Sequence, residues 1–415
     1  MRLMYADSAG NCYDHPTMRA VGRAGESFFE MSREDLIALP AGSSPVLIPG
    51  GHPVGISVGG RFSLLEKECG GEGPAYAVGA LLPQGYTRTL LPAFRRPKAD
   101  RPLPLMGYAA VAWRRGKAYV AAVRTDRPGR WDPDRYSTLD LPELVEKLLE
   151  EFPGNRIARR LAGCALDYRC FTAQNIFYRR WEGGIPVSRQ CNAGCLGCIS
   201  LQPAECCPSP QSRIDFTPSV QEVAQLGGRH LEASGSILSF GQGCEGEPAL
   251  ASDLIREALL IMRRKTRGGT INMNTNAGHT PAIEALCGEG LDSVRVSLIS
   301  ARDEVYNLYH RPRGYNLDNV KESIKSAVRQ GVFVSLNLLT YPGLTDREEE
   351  LRALIPFIRE TGVKMVQLRN LNIDPDYLFE KLPPAAGEIM GVPYLIRSLK
   401  GVPGLEVGNF SRPLR

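Results

Sequence analysis

Between residues 185 and 369, short apolar runs alternate with longer segments that place apolar residues at helical spacing. The short runs have the length of buried strands, and the longer segments have the periodicity of amphipathic helices. This alternation predicts a parallel sheet with helices outside it, and six such units make an open barrel. The predicted strands are 185–189, 236–240, 270–274, 293–298, 332–337 and 364–369, and the predicted helices are 219–233, 249–264, 280–288, 316–330 and 346–361. The predicted fold class is α/β, a partial (βα)6 barrel preceded by a smaller β-rich domain.

Residues 1 to about 135 are predicted to be β-rich, because glycine and proline punctuate short apolar runs. The clearest signal is a hairpin in which 108–113 and 118–123 flank a short glycine-containing turn. A helix is predicted over 141–152. The predicted domains are a β-rich N-terminal domain that contributes to substrate choice (1–152), a connector (153–182), the barrel (183–380) and a C-terminal tail that covers the barrel edge (381–415).

Three cysteines, Cys191, Cys195 and Cys198, follow the first predicted strand with the spacing Cys-x-x-x-Cys-x-x-Cys. Glycines at 194 and 197 allow the backbone to curl so that the three sulfurs converge. Three thiolates can hold three irons of a four-iron, four-sulfur cluster and leave the fourth iron open for a ligand. The alternative is a structural zinc site, which needs a fourth ligand, and the nearest ones are Cys206 and Cys207.

This spacing after a strand resembles the radical S-adenosylmethionine (SAM) superfamily, and the resemblance covers about residues 180 to 375. It implies that the three cysteines bind a [4Fe-4S] cluster whose fourth iron chelates SAM. One electron from the cluster would then cleave SAM, and the resulting 5′-deoxyadenosyl radical would abstract hydrogen from a substrate. The resemblance also implies an electron donor such as flavodoxin or ferredoxin as a partner. It leaves the substrate open among small molecules, peptides and RNA.

The loops after the second and third predicted strands carry residues that the resemblance assigns to SAM binding. Gly246 and Glu247 resemble the family's Gly-Gly-Glu motif, although Glu245 stands where the first glycine is expected. Either glutamate is able to face the ligand, and Glu247 is preferred. Asn274 and Asn276 end the third strand where the family has Thr-Asn-Gly, and they either contact SAM or only close a turn.

The remaining strands add four polar residues to the predicted SAM or substrate ligands. Arg295 and Ser297 lie on the fourth predicted strand and share one face, because alternate side chains of a strand point to the same side. Two polar residues on one face of an otherwise apolar strand predict ligand contacts. Asn337 ends the fifth strand and Arg369 ends the sixth, and in barrels of this kind the active site lies at the carboxyl ends of the strands.

Two cysteines outside the triad, Cys244 and Cys207, are predicted to be catalytic residues that donate a hydrogen atom to a substrate radical. A second cluster is the alternative use of the remaining thiols, although adjacent cysteines rarely converge on one metal. Its ligands would be Cys164, Cys170, Cys206 and Cys207. No cysteine follows the helix predicted at 280–288, so C-terminal auxiliary clusters are not expected.

A basic segment, residues 86 to 130, contains eleven Lys or Arg against two Asp and is interleaved with aromatic residues. One interpretation is a groove for phosphates and stacked bases, which would suit an iron–sulfur protein that binds RNA or another anion without catalysis. The favoured interpretation is a basic surface over a sheet whose aromatic side chains form its core. A third functional hypothesis is an activating enzyme for a glycyl-radical partner.

The overall composition is that of an ordinary soluble protein, with 43% hydrophobic and 23% charged residues and a net charge of +5. No apolar run reaches membrane-spanning length, and the first residues lack the apolar core of a secretory signal. We therefore expect a cytoplasmic protein with no membrane partner. Its eleven cysteines are expected to be reduced, which favours metal binding over disulfides.

Overall fold

The computed structural model describes residues 1–97, 101–105, 107–127, 129–202, 207 and 209–415. The N-terminal region is built from short antiparallel strands, as the punctuated apolar runs predict. Its strands are β1 (Arg2–Ala6), β2 (Cys12–Arg19), β3 (Val21–Ala24), β4 (Ser27–Glu30), β5 (Ile37–Ala38), β6 (Ser44–Leu47), β7 (His52–Ile56), β8 (Phe62–Leu64), β9 (Tyr76–Leu81), β10 (Tyr86–Arg88), β11 (Leu91–Pro92), β12 (Phe94–Arg95), β13 (Ala109–Arg114), β14 (Lys117–Val120) and β15 (Ala122–Arg124).

The largest sheet of this region has the strand order β12-β7-β2-β1-β9-β13-β14-β5, with β6 beside β9 and β8 beside β7. A smaller sheet contains β11, β3 and β4, and β10 pairs with β15. The predicted hairpin is confirmed, because β13 and β14 pair in antiparallel register with Arg114 opposite Lys117.

Three helices, α1 (Leu141–Glu151), α2 (Arg156–Leu166) and α3 (Phe171–Tyr178), follow two 3-10 turns at Gly129–Trp131 and Pro133–Arg135. The helix predicted at 141–152 is present, but the segment predicted as a polar connector is mostly helical. Ile157, Leu161 and Ile176 are buried in the main core of the protein. The arginines of α2 obscured this in the sequence, because they occupy the face opposite the buried residues.

The barrel region alternates strands and helices as predicted. Its elements are β16 (Glu182–Gly184), α4 (Val220–Leu231), β17 (Ile237–Phe240), α5 (Ser252–Lys265), β18 (Thr270–Thr275), α6 (Thr280–Gly288), β19 (Ser293–Leu298), α7 (Asp303–His310), α8 (Leu317–Arg329), β20 (Phe333–Thr340), α9 (Glu348–Thr361), β21 (Met365–Asn370), α10 (Pro375–Lys381), α11 (Val392–Lys400) and β22 (Glu406–Gly408), with a 3-10 turn at Pro248–Ala251.

Seven strands, β16 to β22, pair in parallel in chain order and form a curled half-barrel. Their outward side chains, such as Ile271, Met273, Val294 and Val296, pack against the helices in the main apolar core. The fold class is therefore the predicted one, an α/β half-barrel behind a β-rich region. The C-terminal residues add β22 beside β21, which extends the sheet by one strand beyond the six predicted.

The first barrel strand was predicted at 185–189, and that position is wrong. The strand is Glu182–Gly184, and only Ile185 extends its pairing, by donating its N–H to Ser239. Pro186 has no N–H to offer a ladder. The next two N–H groups, of Val187 and Ser188, donate to a side chain rather than to a strand.

The N-terminal region packs on the mouth of the barrel. The N–H of Arg88 donates to Oδ1 of Asn370, the last residue of β21, at 3.0 Å. Arg96 pairs with the buried carboxylate of Asp374 at 3.0 Å, and the N–H of Leu103 donates to the same carboxylate at 2.8 Å. The β-rich region is thereby fixed to the end of the barrel where active sites form.

Candidate functional site

The inside of the half-barrel is polar, whereas barrels of this type are commonly filled by branched apolar side chains. Alternation along each strand sends polar residues inward and apolar residues toward the helices. The inward polar residues that the structure describes include Glu182, Ser239, Asn272, Asn274, Ser293, Arg295, Ser297, Ser335, Asn337, Gln367 and Arg369. A polar interior of this extent indicates a chamber for a hydrogen-bonding ligand.

A buried ion pair lies at the floor of this chamber. Arg295 Nη2 lies 3.2 Å from Glu182 Oε1, and Arg295 Nη1 donates to Ser411 Oγ at 2.8 Å and to Gln367 Oε1 at 3.1 Å. Burial opposes the ionisation of Glu182, but the positive charges of Arg295 and Arg369, together with hydrogen bonds from Ser239 and Ser411, hold the pKa of Glu182 below its ordinary value. The pair therefore fixes the floor as a charged, hydrogen-bonded layer.

A cavity of about 600 Å³ opens above this floor. Six residues predicted from the sequence line it: Cys244, Asn274, Arg295, Ser297, Asn337 and Arg369. Another part of the lining is more apolar and includes Trp131, Leu161, Phe171 and Ile199. A volume of this size is typical of a small-molecule site.

The loop that carries the three cysteines, residues 191–198, follows β16 and is held by hydrogen bonds on both sides. The N–H groups of Gly194 and Leu196 donate to the carbonyl groups of His310 and Tyr309, each at 3.0 Å, at the end of α7. On the other side, Asn276 Nδ2 donates to the side chain of Asn192 at 2.6 Å. The loop conformation is thus fixed by barrel residues.

The three sulfurs are half-buried and lie within electrostatic reach of one another. Burial raises the pKa of Cys195 well above its ordinary value, and the nearby Cys198 and Cys191 raise it further. Cys195 Sγ lies 3.4 Å from His310 Nδ1, and Cys198 Sγ lies 3.8 Å from Arg213 Nη2. These two side chains can donate hydrogen bonds to cysteine sulfurs.

This donor set fits a [4Fe-4S] cluster held by three cysteines. Among the described residues, no three Cys, His, Asp or Glu side chains are grouped tightly enough to hold a single metal ion. A four-iron cluster spreads its cysteine sulfurs further apart than a single ion does, and metal ligation deprotonates thiols whose pKa burial has raised.

The loop after β17 carries the predicted SAM motif, and both of its glutamates are buried. Glu245 accepts hydrogen bonds from the N–H groups of Val187 at 2.7 Å and Ser188 at 2.9 Å, and also from Gly241 and Gln242. Burial raises the pKa of Glu245 to about 7, although those four N–H donors oppose the rise. Glu245 therefore anchors the segment before the cysteines.

Glu247 anchors the loop after β18. Its carboxylate accepts hydrogen bonds from the N–H groups of Ala249 at 3.0 Å and Asn276 at 2.7 Å, and from Thr275 Oγ1 at 2.5 Å. Asn276 also contacts the cysteine loop through Asn192. One chain of contacts therefore joins three loops at the barrel mouth.

Two positions near the motif require glycine, because another backbone segment lies too close for a side chain. A Cβ at Gly246 would overlap the backbone carbonyl of Gln190, directly before the cysteine loop. Gly241 has a φ of +80°, and a Cβ there would overlap the carbonyl of Asn274. Any other residue at these two positions would push the loops apart.

The remaining cysteines do not gather at one place. Cys164 and Cys170 line the cavity near Cys244, whereas Cys207 lies in a separate apolar cluster with Leu105. Cys206 lies outside the described residues. The described members of the set predicted for a second cluster therefore fall in two different regions.

The basic segment is divided between the interior and the surface. Arg88 and Arg96 are committed to contacts with the barrel, and Phe94 and Tyr108 are buried, as the favoured core interpretation predicts. Arg115 is among the exposed basic residues. Lys98 and Asp100 lie outside the described residues.

Sequence reasoning missed three residues of the site: Glu182, Arg213 and His310. Glu182 precedes the position predicted for the first strand, so its inward direction was not recognised. His310 and Arg213 approach the cysteines from other parts of the chain, and no local pattern marks them.

A family model described as the radical SAM superfamily matches residues 185–355, the part that forms the half-barrel and the cysteine loop. The half-barrel and the cysteine loop are therefore a radical SAM domain, and the class of protein that this domain defines is a radical SAM enzyme. Members of this superfamily bind a [4Fe-4S] cluster and SAM.

Among curated proteins, the Uncharacterized protein MJ0808 of Methanocaldococcus jannaschii is 22% identical over 219 residues. The match covers 53% of this chain and 61% of that protein, so the chain spans less than two thirds of this relative. No helix in the described part of the chain combines the length and apolarity that a membrane crossing needs.

Three solved structures are similar in part. Methylornithine synthase (PylB) aligns with a TM-score of 0.38 at 15% identity, over 65% of this chain and 74% of that chain. Streptococcus suis SuiB bound to S-adenosylmethionine aligns with a TM-score of 0.38 at 14% identity, over 66% and 61%. A radical SAM methyltransferase from Sphaerobacter thermophilus aligns with a TM-score of 0.39 at 19% identity, over 54% and 65%.

Proposed function

We propose that this protein reductively cleaves SAM at a [4Fe-4S] cluster and uses the resulting 5′-deoxyadenosyl radical to abstract hydrogen from a substrate in the barrel cavity. The single observation that carries the proposal is the cysteine loop, which barrel residues hold in place and which leads directly into Ile199 in the lining of the polar chamber. A rigid loop suits the role, because a cluster that moved would lose its alignment with a substrate held by the barrel.

Cys191, Cys195 and Cys198 would hold the cluster. When bound, the cluster and SAM supply one-electron chemistry that generates the radical. The chain's own residues keep the three loops in register: Glu247 joins the loops after β17 and β18, and Asn276 joins the latter to the cysteine loop.

The residues predicted to bind SAM divide into two roles under this proposal. Gly246, Glu247, Asn274 and Asn276 support the binding site by fixing the loops around it. A second set faces the cavity and would contact a ligand directly; it consists of Arg295, Ser297, Asn337 and Arg369. Asn274 also lines the cavity and so belongs to both sets.

We propose Cys244 as the residue that donates a hydrogen atom to a substrate radical, because it lines the cavity. Cys207, predicted for the same role, lies in the apolar cluster that Cys195 and Leu196 also contact. A donor has to reach the substrate, so the cavity wall is the better place for it.

The apolar wall of the cavity would exclude water from the radical. Trp131 comes from the N-terminal region and Phe171 from α3, so both precede the barrel in sequence. This placement supports the proposal that the N-terminal region contributes to substrate choice. Reduction of the cluster would need a partner, and a flavodoxin or a ferredoxin is the proposed electron donor.

The test is anaerobic reconstitution with iron and sulfide, followed by incubation with dithionite and SAM. We expect about four irons per chain and release of 5′-deoxyadenosine. Cys195→Ala should abolish the product, whereas Cys287→Ala, on the outer helix α6, should retain it. Product release by Cys195→Ala, or none from wild-type protein with a full cluster, would overturn the proposal.

A further inference from the structure

The cavity wall carries more positive than negative charge. Arg295 and Arg369 have a single carboxylate near them, that of Glu182. Arg295 forms an ion pair with this carboxylate at 3.2 Å. In the described part of the chain, no carboxylate lies within ion-pair distance of Arg369, whose polar contact is Gln367 Oε1 at 3.4 Å. Arg369, a half-buried guanidinium in the wall, therefore has no counter-ion of its own among the described residues.

The surroundings of Arg369 disfavour an unpaired charge. Its side chain is half-buried and lines the cavity, and burial lowers its pKa to about 10, with Arg295 adding to the effect and Glu182 opposing it. A guanidinium removed from water is stabilised by an anion in hydrogen-bond contact. The cavity is the direction from which such an anion can come, because Arg369 contributes to its lining.

Two neutral groups in the same wall are also without partners. Asn337 Oδ1 and Gln242 Nε2 are both buried, and neither has a hydrogen-bond partner among the described residues. Both residues line the cavity with Arg369. Buried polar atoms are nearly always satisfied, so an acceptor and a donor left open in one cavity point to a ligand that completes them.

The apolar part of the lining suits an apolar part of the same ligand. Trp131 is 6% exposed and Leu161 is 2% exposed, and both line the cavity with Phe171. A ligand that contacts both parts of the lining has an anionic, hydrogen-bonding group and an apolar group.

We propose that the substrate of this enzyme is a small amphipathic molecule whose carboxylate or phosphate pairs with Arg369, with Asn337 and Gln242 completing its hydrogen bonds. The inference rests on the proposed function only in taking this cavity as the reaction chamber. It assigns Arg369 to the substrate rather than to SAM.

Matched probes test the charge requirement on the full-length, anaerobically reconstituted protein. N-acetylphenylalanine and its amide have the same shape and differ by one negative charge, and phenyl phosphate represents a phosphate source. We expect the acid to bind at least about tenfold more tightly than the amide by titration calorimetry, because an ionised partner strengthens the hydrogen bonds to Arg369. Tighter binding of phenyl phosphate than of the acid would identify phosphate as the anion.

The variants Arg369→Gln and Arg369→Lys separate charge from packing. Arg369→Gln should remove the preference for the acid over the amide, and Arg369→Lys should keep part of it. Arg359→Gln, an exposed change on α9, should leave the preference unchanged. Wild-type protein that binds acid and amide equally, or that binds none of the probes, would overturn the assignment.

SAM itself has a carboxylate, so its binding is measured in parallel. If Arg369→Gln weakens SAM binding while the preference for the acid persists, the anion belongs to SAM and the proposal is overturned. Failure of the proposed function would appear separately, as wild-type protein that binds the acid but releases no 5′-deoxyadenosine.

Discussion

His310 Nδ1 lies 3.4 Å from Cys195 Sγ, which places an imidazole against one of the three cysteines predicted to bind the cluster. The ring is 1% exposed, and burial lowers the pKa of His310 to about 3, so the imidazole is neutral. Its Nε2 atom has no hydrogen-bond partner among the described residues. A neutral imidazole can donate only one hydrogen bond, and the sulfur is the available acceptor beside Nδ1.

We predict that His310→Phe makes the reduction potential of the cluster more negative. A hydrogen bond to a ligating sulfur favours the reduced, more negatively charged cluster, and a difference of about 0.7 kcal/mol corresponds to about 30 mV for a one-electron couple. A redox titration followed by electron paramagnetic resonance measures the shift. His15→Phe, in the N-terminal sheet, is the control, and equal potentials for all three proteins would contradict the prediction.

Gly246→Ala should destabilise the protein and impair SAM cleavage together. The added methyl group would overlap the carbonyl of Gln190 and separate the loop after β17 from the cysteine loop, at a cost of about 2 kcal/mol. Gly154→Ala is the control, because nothing lies within 4 Å of its Cβ position. Chemical denaturation measures the stability of both variants, and release of 5′-deoxyadenosine measures SAM cleavage. Equal stabilities would show that the loops do not require this contact.

Glu222→Gln should reduce the free energy of unfolding at neutral pH by about 2 kcal/mol. This figure takes into account that the partner, Arg156, is exposed, because solvent weakens an exposed ion pair. The bidentate contact with Arg156 holds the pKa of Glu222 at about 2, below its ordinary 4.5. A lowered pKa in the folded state contributes stability above pH 4.5, and that contribution is lost as the pH falls through 2.

The difference in unfolding free energy between wild type and Glu222→Gln should therefore be constant above about pH 5 and shrink between pH 4.5 and 2. Denaturation curves measured across this range provide the test. A difference that grew as the pH fell would contradict the assignment of the carboxylate as the ionised partner.

Asp374→Ala should loosen the N-terminal region from the barrel mouth. The buried carboxylate accepts from Arg96 at 3.0 Å and from the N–H of Leu103 at 2.8 Å, and its removal leaves both donors unpaired. We expect the free energy of unfolding to fall by about 3 kcal/mol. Asp253→Ala, at the exposed start of α5, should change the unfolding free energy by less than about 0.5 kcal/mol. Comparable losses in the two variants would contradict the role given to Asp374.

Most of the barrel could be predicted because its signal is local. Strand β19 was predicted at its observed bounds, Ser293–Leu298, since its apolar residues and turn signals lie within a few positions. The first strand was misplaced because the side chain that binds the next N–H groups lies elsewhere in the sequence. Glu245, in the loop after β17, takes the N–H groups that a longer strand would have needed.

The site was harder to predict where its contacts are distant in sequence. Cys195 and His310 are 115 residues apart, and Glu182 and Arg295 are 113 apart. A single sequence shows which residues follow each strand, but it does not show which side chains meet across a barrel. The cysteine motif could be recognised from the sequence because its three cysteines lie on one short loop.

The hydrogen bond from Arg295 to Ser411 has a consequence for the lower end of the barrel. Ser411 lies after β22, and the N–H of Leu414, three residues further on, donates to Thr270 at the start of β18 at 2.7 Å. Residues 411–414 therefore link the Arg295 side of the cavity floor to the start of β18. Truncation before Ser411 would leave the buried Arg295 guanidinium without one of its hydrogen-bond acceptors and would expose this end of the barrel to water.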